Sequence, residues 1–506
     1  MIEREVKLAA PADFSLPDLG GVLPGGRVEA LPPLKLRATY YDSPDLRLTR
    51  AGASLRYRTE DGEGRWTLKL PAGRGGPTLD RRELDFKGPA GQVPPAARRL
   101  VTAYLRRAEP VPVAELETRR QRLLLADRAG AKVAEVDDDE VWVIKDSRAV
   151  DRFRELEVEL APQASDGVAK AVVERLRAAG ALDAGARSKV SRALGPAALG
   201  PPDVFVPQVA PHATAGEWGG AVLASGVSRL VDHDPGVRLG EDPEELHQAR
   251  VAIRRLRSDL RSLHDVFEPG WADALRSELA WAAEPMGATR DADVMIQRLW
   301  HDVAMLAPED AEPASHLLDL LASTRLKLQA EMWQSMETER YVDLLESLVA
   351  AWQDPQLGPA AELAAADLAP LLAARAWKRM RKAAKAALAL GQGERDADSD
   401  SSLHRLRITA KRCRYACEAA ALVVGKPARQ LARQIARLQD VLGSFQDCVV
   451  AEAWLRRMAT GPLRLDQAVA VGELIACQRV QAAECRRRWP KVWKALSDPD
   501  LRDWMA

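Results

Sequence analysis

The 506-residue chain balances 73 basic against 73 acidic residues, with 47% hydrophobic residues and only 5% aromatic ones. That composition excludes global disorder, and no run reaches the roughly 18 apolar residues of a membrane span. A charged opening (Met-Ile-Glu-Arg-Glu-Val-Lys) and five cysteines confined to 413–485 without paired C-x-x-C spacing argue against a secretory signal, a disulfide frame and a zinc site. The expectation is a cytoplasmic protein of two to four domains.

Residues 1–195 alternate with period two in short runs broken by Pro and Gly, which is strand behaviour. Strands are expected at 2–9, 36–42, 54–60, 65–70, 81–87, 115–125, 132–137, 140–145 and 153–160, with helices near 96–107 and 167–179. A Pro-rich linker follows at about 199–211. Beyond it the sequence is Ala-, Leu- and Arg-rich with helical period throughout. The expected fold class is therefore α+β in two domains, 1–198 and 212–506. Their net charges are small and opposite, so any anion site must come from local clustering.

Side chains alternate across a strand, and several N-terminal strands carry charge on one face only. Glu3, Glu5 and Lys7 share a face, as do Arg56 and Arg58, Thr67 and Lys69, Arg81, Glu83 and Asp85, and Glu155, Glu157 and Glu159. For one strand alone, a solvated face explains this. Across strands the kinds segregate: carboxylates dominate the first and last, Arg and Lys the middle ones. A closed antiparallel barrel would gather these faces into one lumen. Clustered carboxylates there call for a hard cation, and guanidinium rows call for a multiply charged oxyanion. Metal-assisted binding of a polyphosphate satisfies both rows. No His or Cys occurs in residues 1–200, which excludes a covalent intermediate on either.

The Glu3-x-Glu5-x-Lys7 opening resembles the signature of the CYTH domain, the triphosphate tunnel metalloenzyme fold. The likeness continues through Tyr40-Tyr41-Asp42-Ser43-Pro44-Asp45, Ser54-Leu55-Arg56-Tyr57-Arg58, Leu68-Lys69-Leu70, the 155–159 run and Ser188-Lys189. The resemblance implies an eight-stranded antiparallel β-barrel tunnel with flanking helices that binds a triphosphate and Mg²⁺ or Mn²⁺. It implies metal ligands among Glu3, Glu5, Asp137, Glu155, Glu157 and Glu159. Phosphate grip falls to Lys7, Arg56, Arg58, Lys69, Lys189 and one of Arg119 or Arg120, the pair leaving the register open. Lys69 and Glu83 would orient the attacking water for in-line attack on a terminal phosphorus.

The C-terminal region is duplicated. His247-x-x-Arg250-Val251-x-x-Arg254-Arg255-x-Arg257 recurs as His404-x-x-Arg407-Ile408-x-x-Lys411-Arg412-x-Arg414 at an offset of 157. Met286-Gly287-x-x-Arg290-Asp291 recurs as Leu442-Gly443-x-x-Gln446-Asp447 at an offset of 156. Such self-similarity marks two related helical halves, placed at about 212–390 and 391–506. In the first copy His247, Arg250, Arg254, Arg257 and Arg261 form one helical stripe; in the second, His404, Arg407, Lys411 and Arg414 do. The stripes hold almost no acid, unlike an ordinary solvated face laced with i,i+4 pairs, so they point to an anion-binding surface. Helix 371–387 adds Arg375, Lys378, Arg379, Arg381, Lys382 and Lys385.

This duplicated pattern resembles the CHAD domain, an all-α duplicated helical-bundle module associated with inorganic polyphosphate. The combined expectation is a metal-dependent hydrolase of tripolyphosphate or a related triphosphate with a polyphosphate-binding helical domain. The alternatives are an adenylate cyclase of the class IV type, or a non-catalytic polyphosphate-binding or targeting protein. Nucleic acid is disfavoured because no aromatic stacking platform interleaves with the Arg rows, and no membrane association is expected.

Overall fold

The computed structural model describes residues 2–23, 25–60, 62–71, 79–183, 188–390 and 397–505. The chain divides into two compact units, Met1–Asp203 and Val204–Ala506.

The first unit is built on a nine-stranded antiparallel sheet. Its strands are β1 (Ile2–Ala10), β2 (Arg27–Asp42), β3 (Ser54–Glu60), β4 (Glu63–Pro71), β5 (Leu79–Phe86), β6 (Val111–Ala126), β7 (Lys132–Lys145), β8 (Arg148–Leu160) and β9 (Leu182–Asp183). Their order is β5-β4-β3-β2-β6-β7-β8-β1-β9, and β1 also pairs with β5 from Ile2↔Arg82 to Glu5↔Leu79. The count exceeds the expected eight because β9, only two residues long, adds to β1 at Leu8 and Ala9.

Two strand boundaries depart from expectation for physical reasons. Strands expected at 132–137 and 140–145 are one continuous strand through the acidic run Asp137–Asp139. The strand continues because each carboxylate of the run meets a guanidinium: Asp138 receives Arg154, and Asp137 and Asp139 receive Arg120. Strand β2 starts at Arg27, well before residue 36, and passes Pro32-Pro33 by a register shift between Leu31 and Leu34. Proline is tolerated in a sheet at such an irregularity.

Short helices flank the sheet: α1 (Arg47–Arg50), α2 (Pro95–Leu100), α3 (Thr102–Leu105), α4 (Asp166–Ala178) and α5 (Lys189–Leu194). The helix expected at 96–107 is thus two short ones. Buried Asp42 fixes α1 by accepting the backbone N–H groups of Ser43, Leu48 and Thr49 at 2.7, 2.9 and 2.8 Å. Helix α4 buries Val172 and Leu176 against Leu8, Val136, Leu156 and Val158, the uncharged faces of β1, β7 and β8. Truncating a fully buried leucine such as Leu176 costs about 2–5 kcal/mol. Val190 of α5 packs with Ala38, Leu116 and Val141, which holds the start of that helix beside the charged face.

The second unit is all-helical: α6 (Ala215–Leu239), α7 (Pro243–Ser262), α8 (Pro269–Val303), α9 (Pro308–Met336), α10 (Glu339–Gln353), α11 (Ala365–Ala389), α12 (Ala397–Ala420), α13 (Lys426–Ala459) and α14 (Leu465–Leu496). Successive helices pack from α6 to α9 and again from α11 to α14, and α7 touches α12. The repeat offset places α7 with α12 and α8 with α13. Asp242 caps α7 by accepting Glu244 N–H at 2.8 Å, with Pro243 at the first helical position. Leu299 and Val303 of α8, Leu318 of α9, Leu455 of α13 and Leu474 of α14 form a common core. Among the described residues, no helix is long and apolar enough to cross a membrane.

Candidate active site

Strand alternation turns the charged faces of the first unit toward a cavity of about 250 Å³. Its cations are Lys7, Arg56, Arg58, Lys69, Arg120 and Lys189; its carboxylates are Glu83, Glu157 and Glu159; Tyr40, Ser54 and Ser188 add hydroxyls. Lys189 reaches it from the first turn of α5, whose N-cap Ser188 accepts Ser191 N–H at 3.2 Å.

At one side the charges are already paired. Glu157 receives Lys7, Lys189 at 2.7 Å and Arg120 at 2.8 Å. Burial opposes its ionisation, but Lys189, Lys7, Arg120 and Lys69 hold the carboxyl well below its ordinary range. Burial likewise opposes the Lys7 charge, and Glu157, Glu155 and Glu5 outweigh it, raising the ammonium above its usual value. Asp139 binds Arg120 through two bonds of 2.8 and 2.7 Å and Lys189 at 2.9 Å. Glu155 lies 3.3 Å from both Lys189 and Arg192. Asp137 contacts Arg120, yet burial pushes it up to about 8, with Asp139, Glu159 and Glu157 adding repulsion.

At the other side two guanidiniums lack an ion-pair partner. Arg56 Nη1 donates to the Tyr40 hydroxyl at 3.3 Å, and among the described residues neither Arg56 nor Arg58 has a carboxylate partner. Both Nε atoms are buried without an acceptor. Burial, then Arg56, Arg120 and Arg65, push the Arg58 guanidinium down to about 10. Lys69 and Glu83, directly opposite on β4 and β5, form an ion pair of 2.9 Å on the same wall.

Glu5 is 1% exposed, and neither of its carboxylate oxygens accepts a hydrogen bond; Lys7 Nζ lies 3.5 Å from Oε1. Its cross-strand neighbour is Glu159, which burial and the Glu157 carboxylate push up. Like charges directly opposite in a sheet are destabilising, so this pair fits a hard cation as donors. Among the described residues, no group of three or more carboxylate, His or Cys side chains is gathered for a metal. A site of one or two carboxylates completed by substrate phosphates is the way Mg²⁺ is commonly bound. The Glu3 side chain lies outside the described residues.

The structure also separates the Arg119-Arg120 pair. Arg120 lines the cavity, whereas Arg119 lies on the opposite face with its guanidinium 5.2 Å from the Trp142 ring. The expectation that left Arg119 as a phosphate ligand is corrected accordingly. Asp139 and Tyr40 escaped the sequence reading as site residues. Asp139 follows from Asp137 by alternation alone, two residues along one face, once β7 is known to run unbroken.

In the helical unit, the two repeat stripes meet. Burial, then Arg254, Arg407 and Arg250, push Lys411 down to about 7, so four cations of the two copies form one cluster. The second repeated motif supplies partners: Asp291 receives Arg250 at 2.9 Å, and Gln446 lies 2.8 Å from His404 Nδ1. His247 sits in the same field, lowered by burial and by Arg290, Arg254 and Arg250 against Glu244. Arg414 turns instead to Glu418 at 3.2 Å, and Arg257 has no ion-pair partner among the described residues.

A phosphate-sized cavity ringed by cations in an antiparallel sheet, followed by a duplicated helical unit, defines the architecture. The family model for the CYTH domain matches residues 1–194, and that for the CHAD domain matches residues 221–456. An uncharacterised protein of Mycobacterium tuberculosis is 30% identical over a 521-residue alignment covering 98% of this chain and 96% of that one. The chain belongs to this family of CYTH–CHAD proteins. Among solved structures, PptA from Streptomyces chartreusis is 22% identical, with a TM-score of 0.47, covering 56% of this chain and all of that one. The CHAD domain of the plant Ricinus communis is 26% identical, with a TM-score of 0.47, covering 58% of this chain and 95% of that one.

Proposed function

We propose that the first unit hydrolyses inorganic tripolyphosphate or a related triphosphate with Mg²⁺ or Mn²⁺, and that the helical unit binds inorganic polyphosphate. The observation that carries the reading is the pair of guanidiniums Arg56 and Arg58, lacking any carboxylate partner among the described residues and set beside the Lys69–Glu83 pair. Neither fork has a carboxylate within ion-pair reach among the described residues, and both match phosphate oxygens in shape and charge.

In this reading the eight long strands act as a tunnel, a view supported by the β1–β5 pairing. Arg56, Arg58 and Arg120 hold the phosphate chain, with Lys7 and Lys189 at its far end. Glu83, held by Lys69, accepts a hydrogen bond from the attacking water and aligns it with the terminal phosphorus. As the phosphoanhydride bond breaks, the guanidiniums stabilise the charge that gathers on the leaving pyrophosphate, an electrostatic contribution already in place before reaction. Glu5 and Glu159 would hold the divalent cation, which when bound neutralises phosphate charge and orients the chain. The free cysteines support a reducing, cytoplasmic setting.

The test is a substrate panel of tripolyphosphate, long-chain polyphosphate, thiamine triphosphate and ATP with Mg²⁺ or Mn²⁺. Orthophosphate release from tripolyphosphate supports the hydrolase. Pyrophosphate release from ATP would favour the cyclase, and binding of polyphosphate without any turnover would favour the non-catalytic reading.

A further inference from the structure

The second repeated motif, Met286-Gly287-x-x-Arg290-Asp291 and Leu442-Gly443-x-x-Gln446-Asp447, sets one aspartate of each copy a turn beyond a glycine, on α8 and α13. Those helices pack against the stripe helices α7 and α12 and against each other. Asp291 receives Arg250 Nη1 at 2.9 Å. The Arg250 guanidinium reaches it over Gly287, where an added Cβ would stand 3.6 Å from Nη2. In the second copy Gln446, the residue before the aspartate, meets the stripe at His404 Nδ1 at 2.8 Å. In both copies the motif faces the basic stripe.

The charge balance gives these aspartates a role. Among the described residues Arg254, Arg407 and Lys411 form no ion pair, and the Nε atoms of Arg254, Arg290 and Arg407 are buried without an acceptor. Burial opposes the Arg407 charge; Asp447 and Asp291 favour it against Arg254 and Arg250. Asp447 favours the Lys411 charge too, against burial and the same three guanidiniums' field. Two carboxylates, one from each copy, thus serve cations of both stripes. Neither is held firmly. The Asp291 side chain is 71% exposed, where an ion pair contributes little. Burial pushes the Asp447 carboxyl up, Arg407, Arg298 and Lys411 oppose the shift, and Asp291 adds to it.

We propose that Asp291 and Asp447 are resident counter-anions of the cluster of Arg250, Arg254, Arg407 and Lys411, an autoinhibitory contact built into the repeat. They partly neutralise the cluster in the ligand-free protein and give way to an incoming oxyanion. The role rests on reading the helical unit as a polyanion binder, and it falls to two groups that work against binding. Neutralising them has two effects of opposite sign. The ligand-free cluster loses its counter-charge and repels itself more strongly, so the fold is less stable. An oxyanion meets an undiminished positive field and binds more tightly. A carboxylate that merely braces the helices would, on removal, weaken both.

The test compares full-length Asp291→Asn/Asp447→Asn with its parent, both carrying Arg56→Ala/Arg58→Ala to weaken the tunnel, in low salt without divalent metal. The anion-free variant should melt at a lower temperature, and millimolar sulfate should raise its midpoint more than the parent's, closing the gap. Long-chain polyphosphate, titrated calorimetrically, should bind the variant roughly tenfold more tightly. Asp291→Asn alone, at an exposed position, should show the same signs at smaller size, and it carries the test where the double variant does not fold. A midpoint that falls without sulfate rescue and without tighter polyphosphate binding would overturn the assignment, as would no change in either readout. If neither protein binds polyphosphate, the reading of the helical unit fails, and the sulfate rescue alone decides the role of the aspartates.

Discussion

Lys69 Nζ lies 2.9 Å from the Glu83 carboxylate across the register of β4 and β5, at the edge of a cavity whose remaining cations have no such carboxylate or are shared among several. The pair gives Glu83 a fixed direction on the cavity wall. We expect Glu83→Gln and Lys69→Ala to lower kcat roughly 10²-fold or more, the range of a lost acid–base or positioning group. KM should change little, since transition-state contacts act on kcat and ground-state grip acts on KM. Steady-state phosphate release checks this, and a pure KM effect for Glu83→Gln would remove its role.

In the proposed reading Arg56 and Arg58 take the complementary role. A hydrogen bond to a charged group is worth about 1.5–3 kcal/mol, which corresponds to roughly 10–100-fold in affinity. Arg58→Ala should therefore raise KM for tripolyphosphate by about that factor. It should also stabilise the ligand-free fold, because burial and Arg56 already press on the Arg58 charge. Paired kinetics and thermal melts of the same variant read both effects.

Glu5 is a buried carboxylate with no hydrogen-bond donor, opposite another carboxylate on β8. Glu5→Gln should leave the metal-free protein as stable as the parent or more so. It should also abolish the rise in thermal midpoint produced by Mg²⁺ or Mn²⁺. A metal-induced shift equal to that of the parent would place the cation elsewhere.

The strand faces that carry these residues were legible because alternation is rigid: once Glu5 points inward, so does Lys7. What alternation cannot supply is phase across an irregular pairing. β6 pairs with a β2 that slips at Leu31/Leu34 and again at Tyr40/Tyr41. No local pattern therefore told whether Arg119 or Arg120 faces inward; the ring of Trp142 under Arg119 decides it. The break expected between 137 and 140 is absent, because Arg120 and Arg154 arrive from neighbouring strands to meet the carboxylates of Asp137–Asp139, which no local pattern shows. In the helical half, the repeat offset and the stripes were plain. Which stripe residues cluster was not, because it depends on how α7 crosses α12: Lys411 joins Arg250 and Arg254, while Arg414 is drawn off by Glu418.

Lys411 gives a pH prediction. Its ammonium sits at about 7 in the fold against an ordinary value of 10.5, lowered by burial and then by Arg254, Arg407 and Arg250. Between those two values the unfolded chain binds a proton that the folded chain lacks, so this residue makes stability rise with pH from about 7 toward 10.5. A bound polyanion restores the charge, and binding at pH 8.5 should take up a proton. Calorimetry of long-chain polyphosphate in buffers of different ionisation enthalpy measures the uptake, and Lys411→Ala should reduce it. Equal heats in all buffers would contradict the placement of this lysine in the anion site.

The measurement that bears most directly on the whole account is orthophosphate release from tripolyphosphate by the full-length protein with Mg²⁺ or Mn²⁺, run beside the Arg56→Ala/Arg58→Ala variant. The account predicts metal-dependent release by the parent that falls at least 10²-fold in kcat/KM when both guanidiniums are gone. No release from any triphosphate in the panel, or equal release by the folded double variant, would contradict it.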